Sequence, residues 1–461
     1  MDKNKLIYFA IGALLTLPSC SQEEPEDKPS ADNNRIYFRS YLPSVIQSRA
    51  GVVTADNFSA CQITCFNPNK DIFIDNLTGE LNPYFADVTF VKNVSGRFHS
   101  QNGDELLWPD MQSVLHFFAF YPSAQSMREK VNDDSFFNLA NRSTLNDGTL
   151  KFDYRLENFR IVGEIADQID FVTAYASGSQ LNNATGGISL DFKHQLARVE
   201  LSAWGANDRY DFEIAGVRIG NPVTQGDFNL AASWAGEAYP WLNTSSPIST
   251  VEHIFSSGER VVRLDRTSDR FRSEEDAVSL MGSAGPIMVI PMHTRIEGWE
   301  GKADPNITST PYSTDKLYFS VLLRVRNTDN ELVYPYPNDR NQMSVVYFAI
   351  NREGLIEDRL YNINGQYYTT PEADEDHRYI PDSSVSIESF GWAALPVAAK
   401  WDAGKIYSYK LNYSHGIGWH DPDDPDPGEP ILERGKIPFN VVVSEWIRSE
   451  EDKSDINVPK H

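Results

Sequence analysis

The sequence predicts an all-β protein. Apolar residues recur at alternate positions through most of the chain, and helical three-to-four spacing is scarce. Aromatic residues reach 12%, and 28 glycines and 26 prolines break the chain at short intervals. Side chains alternate across a strand, so this period marks strands with one face buried. Short aromatic-rich strands bounded by turn residues pack as antiparallel sheets, face to face. The length, 461 residues, suffices for two or three domains with real cores. The formal charge of −24 repels nucleic acid and anionic lipid, so nucleic acid is not an expected partner.

Taken in order, residues 1–5 carry two lysines and one aspartate, 6–17 are mostly apolar, and LPSC follows at 17–20. The run is too short for a lasting transmembrane helix and reads as a signal peptide. Leu17 and Ser19 stand three and one positions before Cys20, the pattern a lipoprotein signal peptidase reads. Residues 1–19 are therefore expected to be removed, and Cys20 to carry the lipid that tethers the chain to the outer membrane. Residues 20–34 are acidic and proline-bearing without apolar periodicity, which describes a disordered tether.

RIYFRSYLPSVIQSRAGVV (35–53) follows. Ile36, Phe38 and Leu42 point one way, and Tyr37, Arg39 and Tyr41 the other, as in an edge strand completing a first sandwich. The segment runs out at a lone arginine, Arg49, followed by Ala50. In CQITC, a spacing of four along a strand holds Cys61 and Cys65 roughly 13 Å apart, too far to bridge. Two buried thiols is one reading, a disulfide closed around a turn the other. No second cysteine or histidine cluster completes a metal site.

VLHFFAFYP (114–122) is apolar on both parities, as in a strand covered on both faces. In GGISLDFKHQLARVELSAW (186–204), Ile188, Leu190 and Phe192 occupy even positions, but Ala197, Val199, Leu201 and Ala203 occupy odd ones. A strand changes its buried face only at a bulge or a change of sheet, so this segment is expected to bend or pass between sheets. His194 at the slip reads as a structural hydrogen-bonding residue. The slip places a division after Gly187, giving an N-terminal domain over 35–187 and a C-terminal one over 188–461.

SWAGEAYPWLN (233–243) offers Trp234, Tyr239 and Trp241, either as an exposed platform for sugar rings or as core packing. KLYFSVLLRVRN (316–327) reads as a half-buried strand: Leu317, Phe319, Val321, Leu323 and Val325 share one parity, Ser320, Arg324 and Arg326 the other. IYSYKLNYS (406–414) and KIPFNVVVSEW (436–446) repeat the alternation. Between them, residues 421–430 hold four aspartates and four prolines. The oxygen density suits calcium, but the prolines hold the backbone extended, so a solvated spacer is expected. The tail, 447–461, is charged and makes a poor apolar strand.

Five motifs stand in a fixed order: LPSC, Ser48-Arg49-Ala50, LLWPDMQSVLHFFAFYP (106–122), DFKHQLARVEL (191–201), and the pair AGKIYSYKLNYS (403–414) and IPFNVVVSEW (437–446). Together they resemble the fimbrillin family of Bacteroidetes, the Mfa-like or type V pilins. The acidic stretch behind Cys20 also resembles the export signal of surface lipoproteins in that phylum. The resemblance implies two tandem transthyretin-like β-sandwich domains, export as a lipoprotein, and assembly into surface fimbriae by strand exchange with other fimbrial subunits. It further implies an arginine-specific protease that cuts between Arg49 and Ala50, strips the first strand and opens an apolar groove. The charged tail favours a tip or accessory position over the shaft.

No Gly-x-Ser-x-Gly elbow, phosphate-cradling loop or His-Glu-x-x-His motif occurs. The nine histidines are scattered, and no catalytic residue, cofactor or metal is expected. Two functions compete: a fimbrial, adhesive subunit whose target is a host or bacterial surface glycan or protein, and a monomeric surface-anchored glycan-binding lipoprotein using Trp234, Tyr239 and Trp241.

Overall fold

The computed structural model describes residues 34–42, 53–54, 57–68, 73–93, 97–292, 295, 316–335, 345–424, 427–432 and 437–445. Strands take up 48% of the chain and helices 6%, so the protein is all-β. Residues 1–33, which take in the expected signal peptide, Cys20 and all of the tether but Asn34, lie outside the described residues, as do Arg49, Ala50 and the charged tail.

An eight-stranded sheet forms the first layer. Its order is Ile188–Asp191, Phe38–Tyr41, Arg97–Ser100, Pro83–Lys92, Ala60–Phe66, Leu115–Tyr121, Val172–Gly178 and Lys193–His194. The two outermost strands are consecutive in the chain, separated by Phe192 alone, so the sheet curls until its ends meet. It wraps a core of its own, which includes Ile36, Phe38, Leu42, Phe90, Phe98, Phe117, Ile188, Leu190 and Phe192. The 115–121 strand is covered on both sides: Phe117 and Ala119 face that interior, whereas Phe118 and Phe120 join a second, larger core. Cys61 and Cys65 stay free and buried along the 60–66 strand, and burial pushes both thiols up.

The second core spans the rest of the molecule. A five-stranded sheet built on Ala197–Trp204, Lys405–Asn412 and Phe439–Glu445 packs against a ten-stranded sheet centred on Asp211–Gly220, Tyr318–Arg326 and Val385–Pro396. A four-stranded sheet draws Asn138–Asn141 and Tyr154–Arg160 from before Gly187, and Gln225–Asn229 and Trp241–Ser245 from after it. One apolar cluster therefore runs from Phe66 to Ile437 across the expected division, and the 188–194 strands belong to the first sheet. The phase slip is the change of sheet: Ile188–Asp191 lies in the first sheet and Ala197–Trp204 in the five-stranded one.

Three expectations change in the structure. The first strand is not at an edge; it lies between Ile188–Asp191, parallel to it, and Arg97–Ser100, antiparallel. The 318–326 strand is not half-exposed, because Arg324 pairs with Glu213 and Glu388 and lies 5.4 Å over the Phe390 ring. A charged side chain whose partners stand on adjacent strands can be buried at tolerable cost. The last strand is the opposite case: Val441, Val442 and Val443 are 45, 49 and 52% exposed, so neither parity is covered.

Candidate functional site

The first strand sits in a slot made by three parts of the chain. At its start, the Ile36 amide donates to Leu106 O (2.8 Å), and Trp108 donates from its amide to Asn34 O and from Nε1 to Arg35 O. Arg35 also pairs with Glu105. In its middle, Phe38 is fully buried and meets Phe90 and Phe117 edge-on, at 4.9 and 5.2 Å. Along its flank, Tyr37 O and Tyr41 O accept from the amides of Ile188 (2.7 Å) and Phe192 (2.9 Å). The outer face carries Arg39 and Tyr41, the latter 61% exposed. Alternation in the sequence thus becomes one row of apolar anchors inside and polar groups outside, with backbone pairing on both sides.

The last strand is held far less. Among the described residues, Phe439–Glu445 pairs with Lys405–Asn412 alone and ends its sheet. Its partner is fixed from the other side by Ala197–Trp204, and Tyr407, Tyr409 and Leu411 are buried beneath it. Ties at its ends are Ile437, which is buried, the Lys405–Glu445 ion pair, and the Asn440 amide on Glu274 (2.6 Å).

Sequence reasoning missed three polar constellations. Asp170, buried without exposure, takes the Val53 amide (3.0 Å) and His194 Nδ1 (2.8 Å) on the same oxygen. His194 thus hydrogen-bonds at the slip, and its partner lies 24 residues away, out of sight of any local motif. Arg218 is the second case. It pairs with Asp421 and stacks 4.4 Å over Trp392, and Ser320 also donates to Asp421. Burial works against the Arg218 charge, but Asp421 foremost among its neighbours outweighs it and raises the pKa above the ordinary arginine value. The segment read as a solvated spacer is therefore docked, with Asp421 at 0% exposure and Ile431 buried. A lone arginine inside the apolar strand EIAGVRIG (213–220) was the available signal, since such a charge requires a partner.

The third constellation clamps the two halves. His253 lies between Glu164 (3.3 Å) and Glu259 (3.2 Å). Burial disfavours its charge, yet the hydrogen bonds to Glu164 and Glu259 win and raise its pKa from 6.5 to about 9. Burial likewise acts against the Glu259 charge, and hydrogen bonds from His253, Ser256 and Ser283 lower its pKa from 4.5 to about 2. The raised histidine contributes fully below pH 6.5 and loses its contribution as pH rises through 9; the depressed glutamate contributes above 4.5 and fails as pH falls through 2. The melting-temperature gap between wild type and His253→Gln is expected to be widest between pH 4.5 and 6.5 and to close by pH 10. A gap constant over that range would show that the clamp carries no charge.

Of the aromatic trio, Trp241 is core, and Trp234 and Tyr239 are half-buried. Trp241 is 2% exposed, packs on Phe159, Phe171 and Phe228, and donates from Nε1 to Gln195 O (3.0 Å). Trp234 packs 4.4 Å from Phe152, and the Tyr239 hydroxyl donates to Pro291 O. Burial of Trp241 withdraws one of the three rings from solvent. Trp241→Ala is expected to cost about 3–5 kcal/mol in a urea titration, as removal of a buried indole does; a loss under about 1 kcal/mol would place the indole at the surface.

Among the described residues no group of three or more His, Cys, Asp or Glu is placed to hold a metal, and no helix is long and apolar enough to cross a membrane. The fimbrillin-like family model matches residues 62–446. The chain belongs to the fimbrillin-like family. Membership supports a structural, fimbrial and adhesive subunit at the cell surface over an enzyme.

Among solved structures, this fimbrillin-like chain is similar to a fimbrial protein from Bacteroides vulgatus, at 12% identity and a TM-score of 0.45, covering 90% of this chain and 99% of that one. It is also similar to a candidate cell adhesion protein from Bacteroides ovatus, at 12% identity and a TM-score of 0.37, covering 90% and 99%. A third, from Bacteroides uniformis, has 12% identity and a TM-score of 0.34, covering 90% and 100%. At these scores the superpositions are loose. No curated protein matches the chain significantly.

Proposed function

We propose that this protein is a fimbrial subunit, exported as a lipoprotein through Cys20 and assembled by exchange of its first strand after cleavage between Arg49 and Ala50. The observation that carries this reading is the slot: a short strand paired on both sides, with Ile36, Phe38 and Leu42 buried in a core separate from the main one. Losing three such side chains costs on the order of 5–9 kcal/mol in buried apolar surface, besides two rows of unpaired backbone groups. A strand from a neighbouring subunit offsets that cost, which is β-augmentation used as polymerisation.

The chain also contains a segment that suits the slot. IPFNVVV (437–443) matches IYFRSYL (36–42) at Ile437 for Ile36, Phe439 for Phe38 and Val443 for Leu42, with Val441 in place of Ser40. It belongs to the edge strand with half-exposed valines, whose partner stays fixed when it leaves. The charged tail at 447–461, which argued for a tip or accessory position, lies beyond this segment and need not enter the slot. The subunit can then donate as well as accept. Burial of Trp241 counts against the alternative, a monomeric anchored glycan binder using Trp234, Tyr239 and Trp241.

A synthetic peptide of residues 437–446 tests the reading. Added to cleaved subunits, it is expected to shorten the ladder of detergent-resistant polymers seen on unheated gels, while a scrambled peptide leaves it unchanged. A ladder insensitive to both would exclude this segment as the donor.

A further inference from the structure

We propose that the first strand holds in place the segment that crosses from the first sheet to the five-stranded one: when it leaves its slot, residues 188–192 loosen, and the loosening stops at His194. The proposal rests on the reading that this strand is exchangeable. Ile188–Asp191 pairs with the first strand and with no other strand among the described residues. The lateral hydrogen bonds of Ile188 and Phe192 both run to it, through Tyr37 O and Tyr41 O. Gly187, at φ +71°, allows the close approach; a Cβ there would stand 3.0 Å from the Tyr37 carbonyl oxygen. Ile188, Leu190 and Phe192 share the core that Phe38 fills, so departure of the first strand removes lateral pairing and side-chain support together.

Beyond Phe192 the chain is held by backbone pairing and hydrogen bonds that run to the 172–178 strand and Asp170 and not to the first strand. Lys193–His194 pairs with Val172–Gly178. His194 is fixed by Asp170, which is itself tied to the Val53 amide and, through its other oxygen, to the Phe171 amide (2.8 Å). Leu196 is fully buried, and Ala197–Trp204 enters the five-stranded sheet. Local opening follows the hydrogen bonds and apolar contacts that remain, so the free energy of opening falls for 188–192 and not for 197–204. An acceptor with an empty slot has a loose 188–192 segment, and the incoming strand stiffens it. Assembly and the order of this crossing segment are thereby coupled.

Hydrogen exchange read by mass spectrometry tests this on three forms of the mature full chain: intact, cleaved by an arginine-specific protease with loss of residues 20–49 confirmed by mass, and Phe38→Asp, which dislodges the strand without a protease. Amides in 188–192 are expected to exchange about tenfold faster or more in the second and third forms, with 115–121 and 197–204 unchanged. A peptide of residues 35–42 is expected to restore protection in the cleaved form. Unchanged exchange at 188–192 with the first strand gone overturns the proposal, and so does loss that spreads into 197–204. If the variant does not fold, the cleaved form with and without peptide decides. Failure of the assembly reading is seen separately, as cleaved protein that never polymerises, and leaves the exchange result readable.

Discussion

Arg49→Ala is expected to give a folded, lipid-anchored monomer that forms no polymer. Phe38 and its neighbours are unaltered in such a variant, so the first strand should stay in its slot and the cooperative unfolding transition should be kept. What changes is the availability of the slot. While the first strand stays covalently attached it competes from within the same chain, at an effective concentration no neighbour matches. The measurement pairs unheated gel electrophoresis of surface material with N-terminal sequencing. Wild type should show a ladder and a new terminus at Ala50; the variant should show a single band that retains Cys20. A ladder of normal length from Arg49→Ala, still carrying residues 35–48, would eliminate cleavage-driven exchange.

Asp421→Ala should be the most damaging substitution outside the apolar cores, with an expected loss of about 3–5 kcal/mol. Arg218 sits in a central strand, stacked on Trp392, and its side chain is 6% exposed. Removing the facing carboxylate leaves a buried cation whose remaining acidic neighbours, Glu252 at 3.8 Å and Asp423 at 3.2 Å, are themselves part-exposed. Ser320 loses its acceptor as well. The companion variant Arg218→Met/Asp421→Leu, which removes both charges, should recover most of the loss, because a buried pair is costly to break and close to neutral to replace. Denaturant midpoints for the three proteins check both statements. If Asp421→Ala proved as stable as wild type, the 419–432 segment would not be docked in solution.

The fold class was legible because strand periodicity is local. Each of the 115–121, 197–204 and 405–412 strands shows its buried positions within a few residues, and the structure covers those positions. The slip at His194 was equally readable, since a change of parity has few geometric explanations. Exposure was read less well wherever charge and burial part company. Arg324 looked like a solvent-facing residue and Arg218 was passed over, and the partners of both come from strands and loops tens to hundreds of residues away. Val441 and Val443 looked like a buried face, yet nothing in the described chain lies over them.

By itself the sequence determined the all-β class, the export signal pattern, the family resemblance and the rows of side chains able to enter a core, all of which depend on neighbours within one element. Only the tertiary structure decided that the first strand lies between two others instead of at an edge, that Trp241 is core, that the aspartate-rich loop is anchored by Arg218, and that one core crosses Gly187. Those outcomes depend on which distant segment arrives opposite each residue. Strand order and ion pairing are settled by the packing of the whole chain, and one stretch of alternating residues carries the same pattern whichever partner it meets.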